Sequence, residues 1–104
     1  MVQESEESTR PVVLLANLVG FCKREGLVRE LADALQLRRQ TIYLWERTGE
    51  SGLSHRAAKL RLLEVSRLAR PRLSAVVAMA AQAHAVVEVQ EVRERGRQYE
   101  HADR

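Results

Sequence analysis

The stretch RRQTIYLWERTG, residues 38–49, gathers the side-chain types that contact nucleic acids. An arginine guanidinium matches the two acceptors that guanine turns to the major groove, and a glutamine amide matches adenine's acceptor and donor. Arginine and threonine also bond phosphate oxygens, which holds a protein on a duplex without reading its sequence. On a helix, Ile42 and Trp45 stand three residues apart on one face, leaving Arg38, Arg39, Gln40, Thr41, Tyr43, Leu44 and Arg47 to point away from it. The apolar pair would anchor the segment to a body. Arg39, Gln40 and Tyr43 are therefore the candidates for reading bases. Arg38, Thr41 and Arg47, with Arg29 upstream and Arg56 downstream, are the candidates for the phosphate backbone. Thr41 also suits a thymine methyl. Leu44 would either meet such a methyl or, as expected of an apolar side chain, pack against the following helix. Trp45 is expected in the core, and Glu46 in no more than a local ion pair.

Helices must position these groups, because alanine, leucine, valine, glutamate and arginine dominate and aromatics are only 4% of the 104 residues. Thr9 can cap a first helix with Pro11 in its opening turn, and Leu14, Leu15, Leu18, Val19 and Cys22 mark its apolar face up to about Gly26. A short second helix from Leu27 turns Leu31, Ala32 and Leu35 inward and Arg29, Glu30 and Asp33 outward. The third begins at about Arg39 and stops at Thr48-Gly49, where GESG follows as a loop. Ser54 can cap a fourth helix running to about Ala69, whose apolar positions are so numerous that it should be mostly buried. Arg70-Pro71 forces a break, and a long fifth helix is expected to about Arg95 with Gly96 ending it. VVEVQEV, 86–92, alternates as a strand would, but a lone strand would lack a partner and helix is favoured. The expectation is an all-α fold of about five helices. It divides into a disordered acidic tail over 1–8, a helix-turn-helix domain over 9–70, a long C-terminal helix over 71–96 and a frayed tail over 97–104.

Two helices crossing steeply need a small residue where they approach, met by Ala32, and an apolar plug in the turn, met by Leu37. The run ELADALQLRRQTIYLWERTG, 30–49, resembles the helix-turn-helix of the phage repressor and Cro-like family, also called the xenobiotic response element family. The resemblance rests on Glu-Leu-Ala, a later leucine, the turn, Arg-x-Thr-Ile and the closing Glu-Arg, and covers about a fifth of the chain. It implies that the helix 39–47 enters the major groove of double-stranded DNA, in a homodimeric transcriptional regulator, a repressor of phage or plasmid type. Three positions depart from the pattern. Val28 stands where the family has glutamine, Gln36 where the turn often has glycine, and Arg38 where a serine would cap the recognition helix. Gln36 would have to adopt a left-handed conformation, and the N–H groups that Arg38 leaves uncapped suit a phosphate. Two other uses of such a body remain open: a protein-interaction adaptor, such as an antitoxin or a polymerase-binding factor with another regulatory protein as partner, and a DNA-packaging or assembly subunit.

Charge supports the nucleic-acid expectation. The formal net charge is +3, yet residues 27–72 hold ten basic and five acidic side chains, and the flanking segments are each slightly acidic. The single cysteine, Cys22, allows no internal disulfide and suggests a reducing, cytoplasmic setting. MVQESEESTR does not have the pattern of a secretory signal, and the apolar stretch around 75–83 is expected to fall short of a membrane span. His55, His84 and His101 lie too far apart for a zinc site, and no phosphate loop or nucleophile with a partnered base is visible, so no enzyme, metal or cofactor is expected. Glu88, Glu91 and Glu94 suggest a solvated face. On the last helix Leu73, Val76, Val77, Ala80, Ala83 and Val87 form an apolar stripe assigned to a dimer interface, with a second ridge at Val86, Val89 and Val92. The alternative is that this helix folds back over its own domain.

Overall fold

Pro11 opens the first helix because its fixed φ suits a helical start and its missing N–H would have had no partner there. In the computed structural model, which describes residues 9–47 and 52–102 with side chains to Gly96, this helix is α1, Pro11–Glu25. It is followed by α2 (Val28–Leu35), α3 (Arg39–Glu46), α4 (His55–Ser66), a 3-10 turn at Pro71–Leu73, and α5 (Ser74–Ala102). The described residues contain no strand, and 86–92 is helical. The acidic tail at 1–8, the helix stop at Thr48-Gly49 and residues 103–104 lie outside the described residues.

Two turns of the same kind set the angles between the first three helices. Gly26 ends α1 at φ 68° and ψ 33°, with its N–H bonded to the Lys23 carbonyl and the Leu27 N–H to that of Cys22. Gln36 repeats this after α2 at φ 57° and ψ 42°, with bonds to the carbonyls of Asp33 and Ala32. In each case the left-handed residue satisfies carbonyls the helix end would leave bare, and the leucine after it, Leu27 or Leu37, packs on the core. Gly26 adopts this conformation freely, whereas Gln36 adopts it against the clash of its Cβ. Gln36→Gly is therefore expected to stabilise the protein by about 0.5–1 kcal/mol in urea unfolding, the relieved strain exceeding the extra entropy of the unfolded chain. A loss of stability would mean that the Gln36 side chain contributes more than its backbone costs.

A single core takes residues from every helix. Leu15, Leu18, Val19 and Cys22 of α1 meet Leu31 and Ala32 of α2, Ile42 and Trp45 of α3, and Ala58, Leu62 and Val65 of α4. The core continues into Leu73 of the 3-10 turn and Val76, Ala80 and Val87 of α5. Helix α1 packs against α3, α4 and α5, and α4 with α5 forms the most extensive pairing. This corrects the stripe assigned to a dimer interface. Leu73, Val76, Ala80 and Val87 are buried within the one chain, and Val77 and Ala83 are half-buried against the same core. The final helix folds back over its own body because α1 and α4 leave an apolar trough that its inner face fills.

Other boundaries shift for local reasons. Arg10, not Thr9, occupies the N-cap position of α1, without a side-chain cap bond. Ser54 caps α4, its Oγ accepting the Ala57 N–H at 3.0 Å. That helix ends at Ser66 rather than Ala69, where the Ser66 hydroxyl bonds the Leu63 carbonyl. It is less buried than its composition implies, with Leu60 53% exposed, because only the arc facing α1 and α5 is covered. Gly96 does not end α5, which runs on to Ala102. A glycine inside a helix costs only about 1 kcal/mol and no proline follows to stop it. The segment Pro71–Gly96 is also long and apolar enough, by length and composition, to span a bilayer, contrary to the sequence expectation. Alanine and valine keep its mean hydropathy up despite Gln82 and His84.

Ion pairs fasten α5 and the turn before it to the body. Lys59 of α4 donates to Glu91 of α5, His55 Nε2 lies 3.0 Å from the same carboxylate, and Glu88 is 3.9 Å from Lys59. Glu30 of α2 lies 3.9 Å from Arg70 and 3.6 Å from Arg72. Glu91 is thus a tether rather than part of a purely solvated face. The hydrogen bond from Lys59, then that from His55, holds its carboxyl below the usual carboxylate range. A carboxylate with a depressed folded pKa contributes stability that is present above its unfolded pKa and is lost as pH falls through the folded one. Stability is expected to decline on acidification below the ordinary glutamate pKa, and Glu91→Gln to flatten that decline; unchanged acid sensitivity in the variant would remove Glu91 from the account.

Candidate nucleic-acid interface

Burying Ile42 and Trp45 fixes the rotation of α3. With both facing α1, Arg39, Gln40, Tyr43, Leu44 and Arg47 are exposed and Thr41 sits half-buried at the margin. The arrangement follows from the 100° step of a helix, which places Gln40, Tyr43, Leu44 and Arg47 on one arc roughly opposite the buried pair. Trp45 is further held by Arg61 of α4, whose guanidinium carbon lies 5.3 Å from its ring centroid, while Arg61 also pairs with Glu64 at 3.1 Å.

Arg38 occupies the N-cap of α3 in extended conformation and makes no side-chain cap bond; its carbonyl accepts the N–H groups of Thr41 at 3.0 Å and Ile42 at 3.4 Å. The first turn of α3 therefore presents its leading N–H groups beside the exposed Arg38 and Arg39 side chains. Arg29 is exposed on the first turn of α2. A shallow cleft of about 280 Å³ joins these elements, lined by Lys23, Gly26, Val28, Arg29, Arg39 and Tyr43. It brings Arg29 beside Arg39 and Tyr43. Gln40, Arg38 and Arg47 are not among its lining residues, and Arg56, exposed on the first turn of α4, also stands outside it.

Two positions were not legible in the sequence. Lys23, near the end of α1, bonds Glu46 at 2.8 Å and places its ammonium 5.9 Å from the Tyr43 ring centroid. It adds a third cation to the cleft, and Glu46 makes a pair that reaches across to another helix. The basic Lys23-Arg24 pair at a helix C-terminus was the one available signal. Leu44 is the second, because it is 43% exposed instead of packing against α4, as is Tyr43. The outward face of α3 therefore carries an apolar patch between its polar groups.

Among the described residues no group of three or more His, Cys, Asp or Glu side chains is placed to hold a metal ion. Cys22 is buried in the core, and burial pushes its thiol up to about 11, so it stays protonated at neutral pH. Comparison with family models, curated proteins and solved structures gave no match.

Proposed function

We propose that this protein is a sequence-specific regulator that binds double-stranded DNA with α3 in the major groove. The observation that carries the proposal is the exposed face of α3, where Gln40 and Tyr43 point outward and Arg39 is exposed at its edge beside Arg29, while Ile42 and Trp45 lock the helix behind them. Arg39 and Gln40 have the donor and acceptor sets that pair with guanine and adenine. Tyr43 supplies a hydroxyl and a ring edge beside them, and Leu44 is exposed where a thymine methyl would meet it. Arg29, Arg38, Arg47 and Arg56, with the Thr41 hydroxyl, bond the phosphates on either side. The uncapped N-terminus of α3 adds N–H donors to one such phosphate. Occupying an operator in this way blocks access of a polymerase, so the proposed role is repression, in the manner of the phage and plasmid regulators that residues 30–49 resemble. No catalytic step or cofactor is needed for it.

Four arginines on phosphates make a definite claim about salt. The logarithm of the binding constant falls with the logarithm of salt concentration at a slope of about −0.9 per phosphate contacted, so each protomer is expected to give a slope near −4. Fluorescence anisotropy of a labelled duplex across salt concentrations reads it, with each of the four arginines replaced by alanine reducing the slope by roughly one. Salt-independent association would remove the backbone contacts from the proposal. The exposed valines of α5 favour a protein contact as well.

A further inference from the structure

Helix α5 has two apolar faces, and the fold uses one. While Val76, Ala80 and Val87 are buried, Val86 is 36%, Val89 52% and Val92 60% exposed on the other side. On that outer side the exposed residues recur in steps of four and three: Ala78, Gln82, Ala85, Val89, Val92 and Gly96. The average step is 3.6 between the ends, and the alternation is that of a heptad seam, with Gln82, Val89 and Gly96 at one core position, a, and Ala78, Ala85 and Val92 at the other, d. The seam is about three heptads, or roughly 30 Å, long.

The flanks decide what fits it. In this register Glu88 falls at the g position and Arg93 at the e position, five residues later. In two parallel helices with matched register, g of one faces e five residues on in the other. A second copy of the chain therefore sets Glu88 against Arg93 and, by the two-fold axis, Arg93 against Glu88. An antiparallel partner sets g against g and e against e, and this pairing is lost. Arg93 is exposed and has no ion pair among the described residues, while Glu88 is 54% exposed and lies 3.9 Å from Lys59 and 3.7 Å from His84, beyond hydrogen-bond distance of both, so both can turn to a partner. Small side chains at Ala78, Ala85 and Gly96 let the two axes come close, and a polar residue at one a position, Gln82, penalises shifted registers.

We infer that the outer face of α5 is a parallel, in-register homodimer seam, in which Val89 and Val92 pack on their counterparts and Glu88 pairs with Arg93 of the second copy. The inner stripe cannot serve, being the core of each subunit. The inference deepens the proposed function, since an operator of two half-sites requires a two-fold protein, but it stands or falls without DNA.

The test uses the full-length chain free of DNA, with Cys22 left in place as a buried thiol. Ala85→Cys and Val92→Cys, each introduced alone, put a thiol at a d position, where matched parallel helices bring it against its own counterpart. Both variants are expected to form disulfide-linked dimers under mild oxidation, and the unmodified chain is not. Arg93→Glu is expected to weaken self-association in sedimentation equilibrium roughly tenfold, and the double variant Glu88→Arg/Arg93→Glu to restore it. Circular dichroism establishes that each variant remains helical. Cross-linking at only one position would mean an antiparallel pair, and cross-linking at neither in a chain that still dimerises a shifted one; either overturns the inference, as does a chain that is monomeric throughout or that associates only on lipid vesicles. DNA binding by such a monomer would leave the proposed function standing while removing the seam.

Discussion

Trp45→Ala is expected to cost about 3–5 kcal/mol of stability, the range for removing a large aromatic from a packed interior. Trp45 is 3% exposed and with Ile42 supplies the buried apolar contact that holds α3 against α1, alongside the exposed Lys23–Glu46 pair. An eight-residue helix is too short to persist alone in water, so its order depends on that packing. Against a total stability of about 5–15 kcal/mol, the variant should be largely destabilised, with a matching drop in the urea midpoint followed by circular dichroism. Trp45→Phe should lose less, since it keeps part of the buried ring and forfeits mainly the Arg61 contact. A loss below 1 kcal/mol in the alanine variant would mean that α3 is not anchored by this residue, and the rotation that exposes Arg39 and Gln40 would lose its cause.

The second large effect concerns binding, with the fold left intact. Gln40→Ala is expected to lose about 1–3 kcal/mol on the best duplex and to relax the preference at a single base position, because the amide that distinguishes adenine is gone. Arg38→Ala, by contrast, is expected to weaken every duplex alike, since a phosphate contact carries no sequence information. Both residues are exposed, so neither change should disturb the core. Competition titrations on a panel of single-base variants of the preferred duplex separate the two patterns. Equal losses on every duplex from both variants would withdraw the base-reading role of Gln40.

Much of this architecture is written locally. Leu15, Leu18, Val19 and Cys22 repeat at helical steps and are all buried; Ser54 sits three residues before the N–H it caps; Gln36 follows the last apolar residue of α2 and takes the left-handed conformation its place requires. The exposure of Arg39, Gln40 and Tyr43 was legible for the same reason, since Ile42 and Trp45 fix the helix's rotation. What was not legible depends on distant partners. Helix α5 is apolar on opposite faces, so periodicity alone could not tell which one the body covers, and the stripe assigned to a second subunit is the one the chain keeps for itself. Lys59 and Glu91 stand 32 residues apart and Lys23 and Glu46 stand 23 apart, separations at which residue type carries no pairing signal. Leu44 stays exposed because Ile42 and Trp45 turn it outward and the buried arc of α4 is taken up by α1 and α5. Gly96 misled in another way, for a glycine weakens a helix without ending it unless the next residues also disfavour helix.

Selection of bound duplexes from a random DNA library by the purified chain tests the central claim most directly. The outward face of α3 predicts enrichment of a short motif containing guanine and adenine at fixed positions, and the α5 seam predicts that it recurs as an inverted repeat with half-sites about 10 base pairs apart or a multiple of that. Recovery of no sequence above the starting library would contradict the reading of α3 as a base-contacting helix.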